Sequence, residues 1–293
     1  MLGIFHNMYI RYTIGECNII IPLKHDLPLI RDSFPQYSTN VARICGYLSD
    51  KYPNMRLIDI GANVGDTMAF VRGLSQCPIL CVEAHEYYYS ILLENIKRAK
   101  FQSVEAACVF VGTFNGELKG QLVSTAGTAR FISSDATSLN VVGLSSLLLE
   151  YPLFETSKML KIDTDGYDCC ILQSELNWLS ERKPVIFFEY DPYFFNDKSC
   201  DGARIFEDLV GGGYAYAIIY DNIGDYLTAV DLQKDKQILK DLQNYYIGRG
   251  GRQYIDVAVF HNEDRDIAEI IRTKEATWSL CQREVRLGKA GKI

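Results

Sequence analysis

The sequence lacks a surplus of positive charge, a long apolar run and any pair of cysteines in the CxxC spacing. Its 30 Lys and Arg side chains are outnumbered by 37 Asp and Glu, which gives a formal net charge of −7 at pH 7. A protein that neutralises nucleic-acid phosphates needs a surplus of cations, so we expect no nucleic-acid partner. No apolar run approaches the roughly 18 residues of a membrane span, so we expect no integral membrane segment.

Two further absences concern the cellular compartment. The first residues, MLGIFHNMYIR, carry no charged region ahead of their apolar residues, which argues against a signal peptide. The nine cysteines are odd in number and fit reduced thiols better than a disulfide framework. We therefore expect a cytoplasmic protein. Apolar residues make up 48% of the chain and charged residues 23%, which is ordinary usage for a globular protein.

The order of the hydrophobic patterns predicts the fold class. Between residues 56 and 210, short apolar runs alternate with amphipathic stretches that have helical periodicity. This alternation predicts an α/β fold with a doubly wound, mostly parallel sheet of seven strands and an antiparallel edge strand. Residues 1–52 are predicted to form an extension, a β-hairpin and a helix, packed on the core. Residues 53–275 are predicted to form the main domain, and residues 276–293 a C-terminal tail.

One stretch, from residue 111 to residue 158, is longer than a crossover helix requires and is rich in Gly, Ser and Thr. It predicts either an extra hairpin that decorates the sheet or a loop that shapes a substrate pocket. The two interpretations are compatible.

The most informative segment is Leu57-Ile58-Asp59-Ile60-Gly61-Ala62-Asn63-Val64-Gly65-Asp66-Thr67. An apolar strand leads directly into two glycines and then a helix, whose N-terminus offers unpaired N–H groups to a ligand. Asn63 stands where a dinucleotide-binding loop needs its second glycine, which disfavours NAD. A ligand without phosphate, such as S-adenosylmethionine (SAM), fits better, with Asp59 near its ammonium group.

Glu83 ends the next predicted strand, about 20 residues past the glycine loop, where a carboxylate can accept both ribose hydroxyls of a nucleoside. The alternative is a surface or capping glutamate. The glycine loop and this acid together indicate a nucleoside-containing cofactor more strongly than either does alone.

A second motif, Lys161-Ile162-Asp163-Thr164-Asp165-Gly166-Tyr167-Asp168, closes the fourth predicted strand of the main domain. With the glycine loop, it resembles the FkbM family of SAM-dependent methyltransferases, from about Asp59 to Glu189. The resemblance implies a Rossmann-like class I methyltransferase fold, SAM as cofactor, and methyl transfer to a hydroxyl oxygen of a sugar or a natural product. The cofactor-binding residues that it and the loop imply are Asp59, Gly61, Asn63, Gly65, Asp66, Thr67, Glu83 and Ala84.

The sequence departs from the family pattern at three places. Asp165 and Asp168 stand where glutamates are common, and Ala84-His85 replaces a frequent proline. The carboxylate of Asp165 is one methylene shorter than that of the glutamate common at this position.

The catalytic candidates are acids at neighbouring strand ends. Asp163, Asp165 and Glu189 should converge there, and a crowded carboxylate is suited to accept a proton near neutral pH. We expect Asp163 to position or deprotonate the acceptor, with Glu189 as second candidate and Lys161 neutralising the cluster. The alternative for Asp163 and Asp165 is a structural role as helix caps.

The acceptor is expected to be a sugar hydroxyl in a polysaccharide or glycolipid, and Tyr193 and Phe194 are the rings predicted to contact it. The alternatives are a small natural product as acceptor, or a SAM-binding protein without catalysis. A divalent metal held by strand-end acids with Asp221-Asn222 is conceivable, but we predict no metal site. The sequence does not indicate an oligomeric state.

Overall fold

Strands and helices alternate along the chain as the two hydrophobic periodicities dictate. The structure, a computed structural model, describes residues 8–164, 166–197, 201–249 and 252–290. The strands are β1 (Tyr9–Ile14), β2 (Cys17–Pro22), β3 (Leu57–Ile60), β4 (Ile79–Val82), β5 (Val104–Ala107), β6 (Phe110–Val111), β7 (Gly116–Lys119), β8 (Gln121–Thr125), β9 (Thr128–Ile132), β10 (Ser138–Val142), β11 (Met159–Ile162), β12 (Val185–Tyr190), β13 (Tyr214–Asp221), β14 (Tyr226–Asp231) and β15 (Ile255–His261).

Helices of varied length separate these strands. They are α1 (Leu27–Ser33), α2 (Thr39–Lys51), α3 (Asp66–Arg72), α4 (Glu86–Ala99), α5 (Leu144–Glu150), α6 (Asp168–Ser174), α7 (Leu176–Arg182), α8 (Ile205–Gly211), α9 (Lys236–Ile247) and α10 (Arg265–Ala290). Within the described residues, none of these helices is both long enough and apolar enough to cross a bilayer.

The central sheet has eight strands in the order β14-β13-β15-β12-β11-β3-β4-β5. The pairings from β12 to β5 are all parallel, whereas β15 runs antiparallel to both of its neighbours and β14 antiparallel to β13. The predicted doubly wound, mostly parallel sheet is therefore confirmed. It has one strand more than the seven predicted, and its antiparallel strands are β14 at the edge and β15 inside the sheet.

Every residue of β3, β4 and β11 is buried, as expected for parallel strands that are covered on both faces. Successive side chains point to opposite faces. Ile58 and Leu160 pack with α5 to α8 on one face, whereas Leu57 and Met159 pack with α2, α3 and α10 on the other. The continuous apolar runs of the sequence are thus explained by two cores that share one sheet.

A buried amide on α4 holds the N-terminal hairpin of β1 and β2 against the main domain. The Oδ1 atom of Asn95 on α4 accepts a hydrogen bond from the Ile20 N–H at 2.7 Å, and its Nδ2 donates to the Ile20 oxygen at 2.9 Å. The same Nδ2 donates to the Val64 oxygen at 2.8 Å. One side chain therefore links the hairpin, α4 and the glycine loop. The predicted boundary of this extension at residue 52 stays a prediction.

Residues 111–158 contain more structure than a loop. Strands β6, β10 and β7 form a small sheet, β8 and β9 form a separate hairpin, and α5 leads back towards β11. The predicted hairpin is present, and its tip also borders a cavity at the strand ends.

Helix α10 includes most of the range 276–293 that the sequence suggested as a tail, as far as Ala290. Glu275 and Ser279 on this helix are buried. The sequence did not reveal the later turns of the helix because their buried side chains are polar, whereas Ile267, Ala268 and Ile271 make its apolar core contacts near its beginning.

The cysteines are mostly reduced in the described part of the chain. Cys17, Cys45, Cys77, Cys81, Cys108, Cys169 and Cys281 have free thiols. Cys170 is disulfide-bonded, so the expectation of reduced thiols is wrong at that position.

An ion pair that joins α2 to α10 gives a test of this packing. The Arg43 guanidinium donates two hydrogen bonds to Glu275, at 2.8 and 2.7 Å, and the two side chains are 8% and 0% exposed. We expect Glu275→Ala to lower the free energy of unfolding by about 3–5 kcal/mol, because it leaves a buried, unpaired cation. The measurement is chemical denaturation followed by circular dichroism.

The matched control is the exposed pair between Arg98 and Glu94 on α4, with an N···O distance of 2.6 Å. Glu94→Ala should cost about 0.5 kcal/mol or less, as exposed helix pairs do. Equal losses in the two variants would contradict a structural role for the buried pair.

Candidate active site

A cavity, here called the main cavity, lies at the carboxyl ends of β3, β4 and β11, where open α/β sheets bind ligands. Its volume is about 320 Å³. Its walls include the strand ends with the glycine loop, the segment from His25 to Ser38, and the tip of the β8–β9 hairpin from Thr125 to Ala129, together with residues 109–111 and Tyr254. The insertion and the extension thus enclose the same space.

The two glycines of the loop are required by close backbone and side-chain approaches. Gly61 has a φ of +83°, and a Cβ atom there would lie 1.8 Å from the backbone oxygen of Asp163. Gly65 has a φ of +86°, and its Cβ would lie 2.8 Å from side-chain atoms of Leu92 and Met68. The sequence pattern was interpreted as an approach of backbone to ligand. The structure shows in addition that Gly61 lets the loop pass the end of β11.

Asn63 joins the glycine loop to the tip of the β8–β9 hairpin, residues 125–129, here called the roof of the cavity. Its φ is +49°, a left-handed conformation that Asn adopts more readily than most residues. Its Nδ2 donates to the Gly127 oxygen at 2.7 Å, and its Oδ1 lies 3.3 Å from the His25 Nε2. The sequence predicts Asn63 as a cofactor-binding residue that stands in place of a glycine, and its contact with the hairpin tip was not predicted.

Glu83 is 6% exposed and its carboxylate is held by the backbone. One oxygen accepts a hydrogen bond from the Asn63 N–H at 2.8 Å, and the other accepts from the His85 N–H at 2.7 Å. Burial raises the pKa of this carboxyl and the two N–H groups lower it. Each oxygen retains a lone pair for a further donor. Glu83 is therefore a fixed pair of acceptors at the wall of the cavity.

Lys161 links two acids of neighbouring strands. Its Nζ lies 2.9 Å from Asp59 Oδ1 and 3.4 Å from Asp163 Oδ2. Burial lowers the pKa of Lys161, but the charges of Asp59 and Asp163 outweigh burial and raise it. Burial raises the pKa of Asp59 against the opposing charge of Lys161. The second oxygen of Asp59 is buried and has no hydrogen-bond partner.

The other predicted cofactor residues divide into two groups. Asp66 and Thr67 border the cavity at the beginning of α3, and burial raises the pKa of Asp66 whereas the charge of His25 lowers it. Asp59 and Gly65 do not border the cavity. The predicted residues that do border it are Gly61, Asn63, Asp66, Thr67, Glu83 and Ala84.

Of the predicted catalytic acids, Asp163 and Glu189 both border the cavity. The Asp163 side chain is 52% exposed and so is accessible to an acceptor. Asp165 lies outside the described residues. Asp168 is buried and accepts hydrogen bonds from Thr164 N–H at 3.2 Å and Thr164 Oγ1 at 2.8 Å, which fixes the turn after β11. Burial and the charge of Asp163 raise the pKa of Asp168 to about 6.

The predicted acceptor contacts lie beside the cavity and do not border it. Phe194 is buried, with the Arg130 guanidinium 4.5 Å from its ring centroid. Tyr193 is 48% exposed and stands edge-on to Phe194 at 5.2 Å. Contact of these two rings with an acceptor stays a prediction.

Sequence reasoning missed several residues that border the cavity because they belong to no motif. These are His25, Tyr37, Ser38, Tyr254 and the hairpin tip. Asp221, which was weighed as a metal ligand, uses Oδ1 to accept from the N–H groups of Ile223 and Asp225 in a turn. Among the residues that the structure describes, no group of three His, Cys, Asp or Glu side chains could hold a metal ion.

The buried ion pair predicts a pH-dependent stability. Lys161→Met leaves Asp59 buried without its cation, and we expect the free energy of unfolding to fall by about 3–5 kcal/mol at about pH 8. Burial already raises the pKa of Asp59, and loss of the cation raises it further, so ionising Asp59 destabilises the fold as the pH rises. The loss should therefore shrink towards about pH 5, where Asp59 of the variant becomes protonated.

Urea denaturation at both pH values measures this effect. The control is the double variant Asp59→Asn/Lys161→Met, which removes both charges and should lack the added pH dependence. A loss from Lys161→Met that is identical at both pH values would show that Asp59 is not the group responsible.

No protein-family model and no curated protein matches the chain. Among solved structures, it is similar to a methyltransferase FkbM from Methylobacillus flagellatus KT at 13% identity and a TM-score of 0.37, over 47% of this chain and 33% of that one. It is also similar to an O-methyltransferase from Bacillus cereus in complex with SAH at 17% identity and a TM-score of 0.39, over 74% and 80% of the two chains. A precorrin-6y C5,15-methyltransferase from Geobacter metallireducens GS-15 matches at 12% identity and a TM-score of 0.38, over 70% and 79%. The chain thus spans a third of the FkbM structure. Similarities at these sequence identities and TM-scores support no conclusion about function.

Proposed function

We propose that this protein is a SAM-dependent methyltransferase that methylates a hydroxyl group, with a sugar of a polysaccharide or glycolipid as acceptor. The observation that carries the proposal is the Glu83 carboxylate. Glu83 is buried directly after β4, the strand that follows the glycine loop and α3. Two backbone N–H groups orient its carboxylate beside the main cavity. This arrangement suits a ribose with two free hydroxyls.

The charges around the main cavity favour SAM over a dinucleotide. Lys161 is the one Lys or Arg among the described residues that border the cavity, and it is already within 3.4 Å of two carboxylates. The acids Asp66, Glu83, Asp163 and Glu189 border the same space. A pyrophosphate would meet these carboxylates without a free cation, whereas a cofactor that carries a sulfonium and an ammonium is complementary to them.

SAM would supply an electrophilic methyl group, and this chain's residues would orient it and its acceptor. Glu83 would hold the ribose and the glycine loop the amino-acid end, with Asp59 close behind the loop. Asp163, which is accessible and paired with Lys161, would accept the proton of the acceptor hydroxyl, and Glu189 is the second candidate for this role. Alignment of reactants contributes about 7–11 kcal/mol and a base about 10²–10⁴-fold.

The choice of acceptor rests on the resemblance of the residues from Asp59 to Glu189 to the FkbM family. A small natural product as acceptor, or SAM binding without catalysis, is the alternative. The cytoplasmic location and the absence of a nucleic-acid partner stay predictions from composition.

Isothermal calorimetry with SAM, and then with NAD at the same concentrations, tests the cofactor. We expect SAM and its demethylated product to bind and NAD to give no heat. Binding of NAD with no response to SAM would overturn the proposal. Release of the demethylated product in the presence of a panel of monosaccharides and glycolipids then distinguishes an enzyme from a protein that only binds SAM.

Glu83→Ala tests the cofactor site. The change removes two charge-assisted hydrogen bonds to the ribose, each worth roughly 1.5–3 kcal/mol, and water recovers part of this. We expect a net loss of about 1.5–3 kcal/mol, which corresponds to SAM affinity weakened about 10–100-fold. Saturating SAM should restore most of the turnover.

The control for this variant is Glu86→Ala, because Glu86 is an exposed acid three residues further along the chain. Its affinity for SAM should match that of the wild type. Since Glu83 also holds the Asn63 N–H, circular dichroism must show that both variants are folded. A change below about threefold in Glu83→Ala, well under one decade of affinity, would mean that Glu83 does not bind the ribose.

Asp163→Asn tests the chemical step. The residue faces the cavity and its side chain is 52% exposed, so we expect the variant to fold and to bind SAM like the wild type. Turnover with an accepted sugar should fall at least about a hundredfold if Asp163 accepts the proton. Unchanged turnover in the folded variant would eliminate Asp163 as the base and leave Glu189 as the candidate.

A further inference from the structure

A third acid lies behind the two that border the main cavity. In the sheet register, Glu189 of β12 is the direct partner of Asp256 on β15, and Asp256 is in turn opposite Tyr220 of β13. Asp163 follows the last residue of β11, next to the pair formed by Ile162 and Phe188. Directly paired residues point to the same face of a sheet. Asp163, Glu189 and Asp256 therefore form a row across three adjacent strands, here called the carboxylate row.

The carboxylate row borders a second, smaller cavity of about 30 Å³, here called the inner cavity. Asp163 and Glu189 border both cavities, whereas Asp256 borders only the inner one. A polar space of this size can hold a water molecule. Asp256 is thus separated from the main cavity by the other two acids of the row.

An unsatisfied donor also borders the inner cavity. Asn40 on α2 is 1% exposed, and its Nδ2 has no hydrogen-bond partner in the protein. Its Oδ1 accepts from the Val41 N–H at 3.0 Å, which fixes the orientation of the amide. The donor lies close enough to Asp256 to lower the pKa of that carboxyl, so it is directed at the carboxylate row although no hydrogen bond of ordinary length joins them.

The carboxylate row has too few cations for three negative charges. Lys161 is the one Lys or Arg that borders the inner cavity in the described ranges, and it is shared with Asp59. Burial raises the pKa of Asp256 well above its usual range, and the charges of Asp163 and Asp221 add to this. Lys161 opposes the rise, as does the nearby Asn40 amide.

The two phenols at the inner cavity stay protonated and therefore add no further negative charge. The charge of Glu189, with burial, raises the pKa of Tyr254, and burial raises that of Tyr37. Like charges directly opposite on paired strands are destabilising. The groups that face Asp256 are Asp163 and Lys161 of the β11 end, Glu189 of β12, Tyr220 and Asp221 of β13, Tyr254 before β15, and Tyr37 and Asn40 at the start of α2.

We propose that Asp256 stays protonated beneath the active site and is a positioning residue for Glu189, the two carboxyl groups holding one proton between them. The Asp256 O–H donates towards Glu189 and leaves Glu189 ionised at the main cavity. This role rests on the proposed function: Glu189 accepts a hydrogen bond from a second hydroxyl of the sugar acceptor, and the hydroxyl to be methylated is thereby oriented towards Asp163. Two carboxylates that share one proton are a known way of separating their titrations.

Carbon-13 NMR of the side-chain carboxyl carbons tests this proposal on the full chain without an acceptor. In the wild type we expect one Asp carboxyl to remain protonated at neutral pH. Its signal should disappear in Asp256→Asn. In Glu189→Gln the Asp256 titration should move down towards the ordinary range, because the neighbouring charge is gone. Titration of Asp256 in the ordinary range in the wild type would overturn the proposal.

Two controls separate a shared proton from simple burial. Glu105 is exposed on β5, at the far edge of the sheet. Glu105→Gln should therefore leave the Asp256 titration unchanged. An Asp256 titration that ignores Glu189→Gln would show that the two groups are not coupled and would also overturn the proposal. If Asp256→Asn does not fold, the wild type and Glu189→Gln still decide the question.

Calorimetry with SAM keeps this proposal separate from the proposed function. Asp256→Asn retains a donor and should bind SAM within about threefold of the wild type, which is about half a decade in affinity. A wild type that does not bind SAM would refute the cofactor assignment and leave the carboxyl titration to stand. With an accepted sugar, we expect turnover by Asp256→Ala to fall about tenfold or more. Asp256→Asn should recover that turnover, and the acid limb of its pH profile should differ from that of the wild type.

Discussion

The ion pair between Lys161 and Asp59 is the constraint on which the site depends. It joins the ends of β11 and β3 at 2.9 Å, and the Lys161 and Asp59 side chains are 6% and 0% exposed. Neither charge can remain in this interior without the other, since an isolated buried ion costs several kcal/mol. The same ammonium reaches Asp163, so the pair in the core also determines the charge that borders the main cavity.

The roof of the main cavity depends on Asn63 in a similar way. Asn63 is a donor to Gly127 of the β8–β9 hairpin, a neighbour of His25, and the N–H donor to Glu83. The Asp26 N–H donates to the Ala126 oxygen at 3.0 Å, which joins the extension directly to the hairpin tip. The N-terminal extension and the insertion are therefore parts of the site, because both complete the enclosure that the glycine loop begins.

The sequence predicted what is local and missed what is not. The alternation of apolar runs located the strands of the sheet, and the glycine loop and Glu83 were placed together at the cavity because parallel strand ends meet at one edge. The role of Asn63 could not be predicted, because Gly127 lies 64 residues away and carries no motif. Helix α10 was missed because its buried positions include Glu275, which a hydropathy pattern assigns to solvent.

Asp256 shows the same limit at the site itself. In the sequence it is an acid inside an apolar run, and only the antiparallel insertion of β15 between β12 and β13 brings it opposite Glu189. If β15 ran parallel to β12, its carboxyl end would lie beside the main cavity in place of its first residues, and Asp256 would lie at the other edge of the sheet. The direction of β15 therefore decides the number of carboxylates in the site, and with it the charge. A space bordered by several acids and one shared lysine stabilises a cationic ligand more than a neutral one of the same shape. On the proposed function, loss of the methyl group converts the cofactor from a cation to a neutral sulfide, so the same acids that favour binding before transfer hold the product less strongly after it.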